Sequence, residues 1–345
     1  IYYWYYKTCY NTHNLINIFM QDSFGRKINY LRFSITDRCD LRCKYCMPQN
    51  MTFSDKSDLL GLNDLEFLSK VLIQVGIKKI RITGGEPLVR KDIIPFLKYL
   101  NKYKKEGSLD EITITSNGTL LEKYAKDLFN NGIKRMNISI DSLIPEKYAF
   151  ITSGGKLEKV LNGIKLAKKL GISIKINTVL IKNFNEDEII SLTKWCAEEE
   201  IKLTFIEIMP LGEIKYSRKN QYLSINKAKE VIKKKFGLHL SDYKTNGPSN
   251  YFETKKLKST IGFISPISNH FCETCNRIRI TSNGILYSCL GHEDSLDLKP
   301  LLKTRCTKQL YSKIKKAIFE KPERHYFKID ELEPKVKRFM NLTGG

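Results

Sequence analysis

Between Leu31 and Met209 one rhythm recurs: a short apolar, β-branched run, then an amphipathic stretch of helical length. The runs cover residues 31–36, 79–83, 112–116, 136–141, 173–181 and 203–209. The helical stretches between them cover 63–75, 92–103, 121–130, 157–170 and 186–199. Gly76, Gly132 and Gly171 follow three of these stretches, where a left-handed residue ends a helix at little cost. Strand–helix units at ~30-residue spacing return to the same sheet through right-handed crossovers, which dictates a parallel α/β sheet. Six strand runs fall two short of a closed eight-fold barrel. The expected fold class is α/β, a partial (βα)6 TIM-like barrel.

After Gly212 the rhythm breaks. A Lys-rich helical stretch (225–236) leads to a Gly/Pro/Ser/Asn-rich segment (245–250), strand-like pieces at 260–264, 277–281 and 285–289, and a late helix at 309–319. This reads as a smaller C-terminal α+β domain. The expected division is an N-terminal appendage at 1–23, the partial barrel at 24–212 and the second domain at 213–345. The first twenty residues hold five Tyr, a Trp and no acid, and begin with Ile, which suits a fragment or a mis-extended start. They lack the composition of a transit peptide and the apolar core of a secretory signal.

Hydrophobic residues make up 41% of the 345, enough to form a core, so disorder is excluded for most of the chain. No apolar run approaches the ~18 residues of a spanning helix. Lys and Arg outnumber Asp and Glu by 59 to 37, a net charge of +22. The cations are scattered, with Lys233, Lys234 and Lys235 the longest uninterrupted run. That pattern fits a Lys-rich composition, an anionic small substrate or a polymer partner, and charge alone does not choose.

Nine cysteines carry more information. Cys39, Cys43 and Cys46 form C-x3-C-x2-C directly after the first strand run. Cys272, Cys275 and Cys289 form C-x2-C-x13-C in the second domain, and Cys9, Cys196 and Cys306 belong to neither spacing. A structural zinc site recruits four ligands and each triad offers three thiolates, although His270 or His292 could complete one in the second domain. Three thiolates on a tight loop suit a 4Fe–4S cube with one iron left open to an outside ligand.

The first spacing, with Tyr45 before its last cysteine, resembles the radical S-adenosylmethionine (SAM) superfamily. So does Gly84-Gly85-Glu86-Pro87 after the second strand run. That resemblance implies a cluster on Cys39, Cys43 and Cys46, and SAM held by Tyr45, Gly85, Ser139 and Met209. Leu31-Arg32-Phe33-Ser34-Ile35-Thr36-Asp37-Arg38-Cys39, Arg81-Ile82-Thr83 before the glycines and Thr115-Ser116-Asn117-Gly118 narrow the match. With Phe205-Ile206-Glu207-Ile208-Met209, Asn276-Arg277-Ile278-Arg279 after the second triad, and the terminal Gly344-Gly345, they resemble the GTP 3′,8-cyclase family of molybdenum cofactor biosynthesis.

The family resemblance implies two 4Fe–4S clusters, the second on Cys272, Cys275 and Cys289. It implies GTP bound by Arg32, Lys79, Arg81, Thr115, Lys175, Arg277, Ile278 and Arg279, and catalytic help from Gly344 and Gly345. The implied reaction is reductive cleavage of SAM, hydrogen abstraction from C3′ of GTP and closure onto guanine C8, giving (8S)-3′,8-cyclo-7,8-dihydroguanosine 5′-triphosphate. Implied partners are a flavodoxin- or ferredoxin-type reductant, a downstream cyclic pyranopterin monophosphate synthase and a second copy in a homodimer. Neither membrane nor nucleic acid is implied, and the expected location is cytoplasmic, or the mitochondrial matrix in a eukaryote. Thr204 departs from the family, which often carries Arg there; Lys202 shares its strand face by alternation. Two other readings remain at this level: a radical SAM enzyme of peptide modification, and a basic zinc protein that binds nucleic acid.

Overall fold

The computed structural model describes residues 20–213, 218–245, 247–331 and 333–344. Most of the expected appendage and Gly345 lie outside these residues. Residues 20–23 belong to the fold, since Met20 is buried in the core and Asp22 pairs with Arg26 at 2.5 Å.

The first part is built from β1 (Tyr30–Ser34), α1 (Leu62–Gln74), β2 (Lys79–Thr83), α2 (Ile93–Lys105), β3 (Glu111–Ser116), α3 (Leu121–Asn130) and β4 (Arg135–Ser139). It continues with α4 (Pro145–Thr152), α5 (Leu157–Lys169), β5 (Ser173–Leu180), α6 (Ile189–Glu198) and β6 (Lys202–Glu207). Strands β1 to β6 are parallel neighbours in chain order, so the partial-barrel expectation holds.

The later part holds α7 (Arg218–Gln221), α8 (Ile225–Phe236), β7 (Leu238–Leu240), β8 (Asn250–Thr254), β9 (Thr260–Ile264), β10 (Arg277–Ile280), β11 (Ile285–Tyr287) and β12 (Ser295–Asp297). It closes with α9 (Lys299–Thr304), α10 (Thr307–Phe319) and α11 (Met340–Thr343). Its strands do not form a sheet of their own. β10 pairs parallel with β1 and β9 parallel with β6, while β11–β12 and β8–β7 add antiparallel ribbons at the two edges. The two strands missing from the sequence count thus come from beyond residue 212, one at each edge, and β9 and β10 are not neighbours.

Register explains the interior. Alternate side chains of a strand face opposite sides, and residues paired across parallel strands share a side. Leu31, Ile80, Ile112 and Ile278 fall on the side packed with helices and are fully or almost fully buried. The opposite side carries one layer of Arg32, Arg81 and Arg279 and a second of Tyr30, Lys79 and Arg277. The polar partners of the Lys79-Ile80-Arg81-Ile82 alternation therefore face the barrel interior. Among the described residues no helix is long and apolar enough to cross a membrane.

Candidate active site

Two cavities open inside the sheet. The first lies at the ends of the first strands and is lined by Cys39, Cys43 and Cys46. Their loop is held by backbone pairing: Gly85 N–H donates to Thr36 O and Glu86 N–H to Arg38 O, both at 2.8 Å. A Cβ at Gly84 or Gly85 would lie 2.4 Å from those same carbonyls, so only glycine permits this approach. Glu86 is fully buried and accepts from Leu88 N (3.0 Å), Ser116 Oγ (2.9 Å) and Asn117 N (2.7 Å), fastening the ends of β2 and β3. Burial pushes its carboxyl up to about 7 against these bonds. Tyr45 donates to Asp141 at 2.8 Å, and burial lifts Asp141 to about 6.

All four residues expected to hold SAM, Tyr45, Gly85, Ser139 and Met209, line this cavity. Thr115 lines it too, and meets the other cavity's wall only by accepting from Arg81 at 3.3 Å. Burial pushes all three thiols up, Cys46 to about 11, and Glu86 and Asp141 push Cys39 and Cys43 further.

The second cavity is lined by Cys272, Cys275 and Cys289 and by Arg32, Lys79, Arg81, Lys175, Arg277 and Arg279. Ile278 is fully buried in the apolar core, on the side of β10 away from the cavity. Burial and neighbouring cations lower Arg32 to about 10, and push Lys175 and Arg279 well below their ordinary values. Burial raises Cys275, yet Arg277 and Lys321 draw it down to about 6. Arg81 Nε, Asn137 Oδ1 and Asn177 Oδ1 are buried without a hydrogen-bond partner, as groups reserved for a ligand would be.

The wall also contains residues the sequence did not point to. Arg135 lines it, and Glu111 bridges Arg135 and Lys79 at 2.6 Å to each. Lys321 is 2% exposed and donates to Ser288 O. Thr204 and Lys202 do not line the cavity: Thr204 is fully buried, and Lys202 Nζ sits 4.9 Å from the centre of the Tyr243 ring. His292 Nε2 lies 2.8 Å from Arg324 O, engaged away from the triad. Among the described residues no three His, Cys, Asp or Glu side chains converge closely enough to share one metal ion.

The cavities meet. Asn177, Ile206, Met209 and Met340 line both. The chain end reaches this waist: Arg279 Nη1 donates to Gly344 O at 2.7 Å, and Gly344 (φ +76°) is so close to β2 that a Cβ would lie 2.1 Å from Thr83 Cγ2.

The superfamily model for radical SAM proteins matches residues 33–196, and that for the molybdenum cofactor synthesis C region matches 201–327. Curated relatives named GTP 3′,8-cyclase include those of Bradyrhizobium diazoefficiens (46% identical), Brucella ovis (45%) and Nitrobacter winogradskyi (45%). Each alignment covers 94% of this chain and 96% of the relative. Among solved structures, Streptococcus suis SuiB bound to SAM superposes with a TM-score of 0.61 at 17% identity, over 91% of this chain and 77% of that one. That likeness concerns the fold.

Proposed function

The chain belongs to the GTP 3′,8-cyclase family of radical SAM enzymes, and on that premise we propose how its two cavities divide one reaction. It is a lyase of molybdenum cofactor biosynthesis that uses SAM and an iron–sulfur cluster to convert GTP to (8S)-3′,8-cyclo-7,8-dihydroguanosine 5′-triphosphate.

The first triad fits that cluster. Its thiols line a cavity on one loop, held close to Gly84 and Gly85 of the second strand's end, and the three-thiol donor set suits such a cluster. The second triad has the same three-thiol donor set, beside cations that favour thiolate, and we assign it a second 4Fe–4S cluster. When bound, the first cluster and SAM supply the radical that abstracts hydrogen from C3′ of GTP.

The protein's own residues do the rest. Gly85 and Ser139 orient SAM, Met209 closes over it, and Tyr45 holds the loop through Asp141. Arg32, Lys79, Arg81, Lys175, Arg277 and Arg279 neutralise a triphosphate, with Arg135 as a seventh cation, and the Ile278 backbone meets the base. Buried guanidinium forks bind phosphate oxygens two at a time and need little reorganisation. Thr115 supports Arg81 and does not itself touch GTP in this assignment. Gly344 reaches the wall beside the waist, where a side chain would clash with Thr83, and with Gly345 it is assigned the catalytic help expected of the chain end. The enclosing walls keep water from the reacting carbon.

An acidic flavodoxin or ferredoxin supplies electrons, the downstream synthase takes the product, and the chain works in the cytoplasm, with a homodimer as one arrangement. One observation carries the division of labour: a triad-lined cavity joins a cation-lined one at four shared residues. Anaerobic reconstitution followed by SAM, dithionite and GTP tests it. The reading expects about eight irons per chain, 5′-deoxyadenosine and a cyclised nucleotide. 5′-Deoxyadenosine formed at the same rate without GTP, and no new nucleotide, would overturn it.

A further inference from the structure

Arg338 belongs to neither cavity, yet its side chain is 6% exposed. Its Nη1 donates to His292 O at 2.6 Å and pairs with Glu293 at 2.7 Å. Its Nη2 donates to Leu290 O and, at 3.4 Å, to Cys289 O. The guanidinium carbon lies 4.0 Å from the centre of the Tyr287 ring. Every one of these partners belongs to the stretch 287–293 that leaves β11 and carries the third thiol of the second triad. Three carbonyls of one loop turned onto one planar fork is an arrangement only arginine can satisfy, because an ammonium has neither the fork nor the stacking face.

The same segment continues to the other cavity. Met340, two residues on, lines both cavities, and Asn341 Nδ2 donates to Asp37 O at 3.0 Å beside the first triad's loop. Thr343 O and Gly344 O accept from Arg279. From 338 to 344 the chain therefore touches the second triad's loop, the waist, the first triad's loop and β10 in turn.

We infer that Arg338 is a positioning residue that locks the Cys289 loop and the chain end into one unit, so that Met340 and Gly344 are placed at the waist only when that loop is formed. The inference rests on the assignment of Cys272, Cys275 and Cys289 as cluster ligands only for its consequence in turnover. The coupling itself concerns the polypeptide.

The test compares the full-length wild type with Arg338→Ala, Arg338→Lys and Glu293→Gln. Hydrogen exchange is followed at 287–293 and 336–344 with and without bound iron, and 5′-deoxyadenosine per cyclised nucleotide in turnover. Arg338→Ala and Arg338→Lys should speed exchange in both segments together and raise that ratio at least about tenfold, the loss of one charge-assisted hydrogen bond. SAM affinity should not change. Glu293→Gln, which removes the ion pair and keeps the carbonyl clasp, should do neither. Exchange that rises in one segment alone, or a ratio unchanged in Arg338→Lys, would overturn the inference. Should Arg338→Ala fail to fold, Arg338→Lys decides alone. An error in the second-cluster assignment would appear separately, as about four irons in the wild type, with the exchange result intact.

Discussion

The two cysteine triads have the same number of thiols and different surroundings. Cys39, Cys43 and Cys46 sit among Asp40, Glu86 and Asp141, and burial plus those carboxylates pushes their thiols up. In the second triad burial raises Cys272, while Arg277 and Lys321 pull Cys275 down to about 6 despite its burial. On the proposed assignment, the difference matches the charge of the two ligands: a sulfonium cation for the first cavity, a triphosphate anion for the second. A buried charge is tolerated where an opposite one arrives to meet it. The net charge of +22, uninformative as a total, becomes informative once its buried fraction is seen facing one cavity.

If the triads are that distinct, removing one thiol from each should have different results. Cys39→Ala should abolish SAM cleavage altogether, whereas Cys272→Ala should keep some cleavage uncoupled from cyclisation; 5′-deoxyadenosine and nucleotide, quantified together, separate the two. Next in size is the chain end that spans both. Deleting Gly344-Gly345 should leave iron content and folding intact and nearly abolish the cyclised product. Gly344→Ala should lose at least about tenfold in product formation, because at φ +76° and ψ +132° an L-residue is strained and its Cβ would lie 2.1 Å from Thr83 Cγ2. Unimpaired turnover in the deletion would return the tail to an ordinary surface end.

Within the second cavity, Arg277→Ala should weaken GTP by ~1.5–3 kcal/mol, the range of a charge-assisted bond. SAM affinity should be untouched, and calorimetry with each ligand separates the two effects. The smallest expected effect is in protons. Burial, then Arg81, Arg135 and Lys79, hold Lys175 well below an ordinary lysine. A bound triphosphate raises it again, so GTP binding takes up protons at Lys175 and weakens as pH rises through the interval between its free and bound values. Calorimetry in buffers of different ionisation enthalpy should show this uptake, and Lys175→Gln should remove it. Identical uptake in the variant would place the proton elsewhere.

The barrel was legible because its strands are short, β-branched and set between amphipathic helices that end in glycine. The first triad was legible because its thiols sit within eight residues on one loop. Position across the sheet was not. Nothing local in 260–264 or 277–280 announces that these strands attach in parallel to opposite edges of the barrel, since pairing partners lie far away in sequence. Arg135 reads as a surface charge until register sets it over the cavity beside Glu111 and Lys79. Thr115, expected to contact GTP, lines the first triad's cavity and is bonded to Arg81 of the second. Arg338 looks like one more cation in a basic tail. Its meaning depends on three carbonyls from a loop 46–49 residues earlier.

The central claim is that two differently charged cavities act as one through their shared waist. GTP deuterated at C3′ tests it most directly, by mass analysis of the 5′-deoxyadenosine formed in a single turnover. The account predicts one deuterium carried across the waist into 5′-deoxyadenosine. 5′-Deoxyadenosine free of deuterium, alongside cyclised nucleotide, would mean that the hydrogen came from elsewhere and that the cavities do not exchange it.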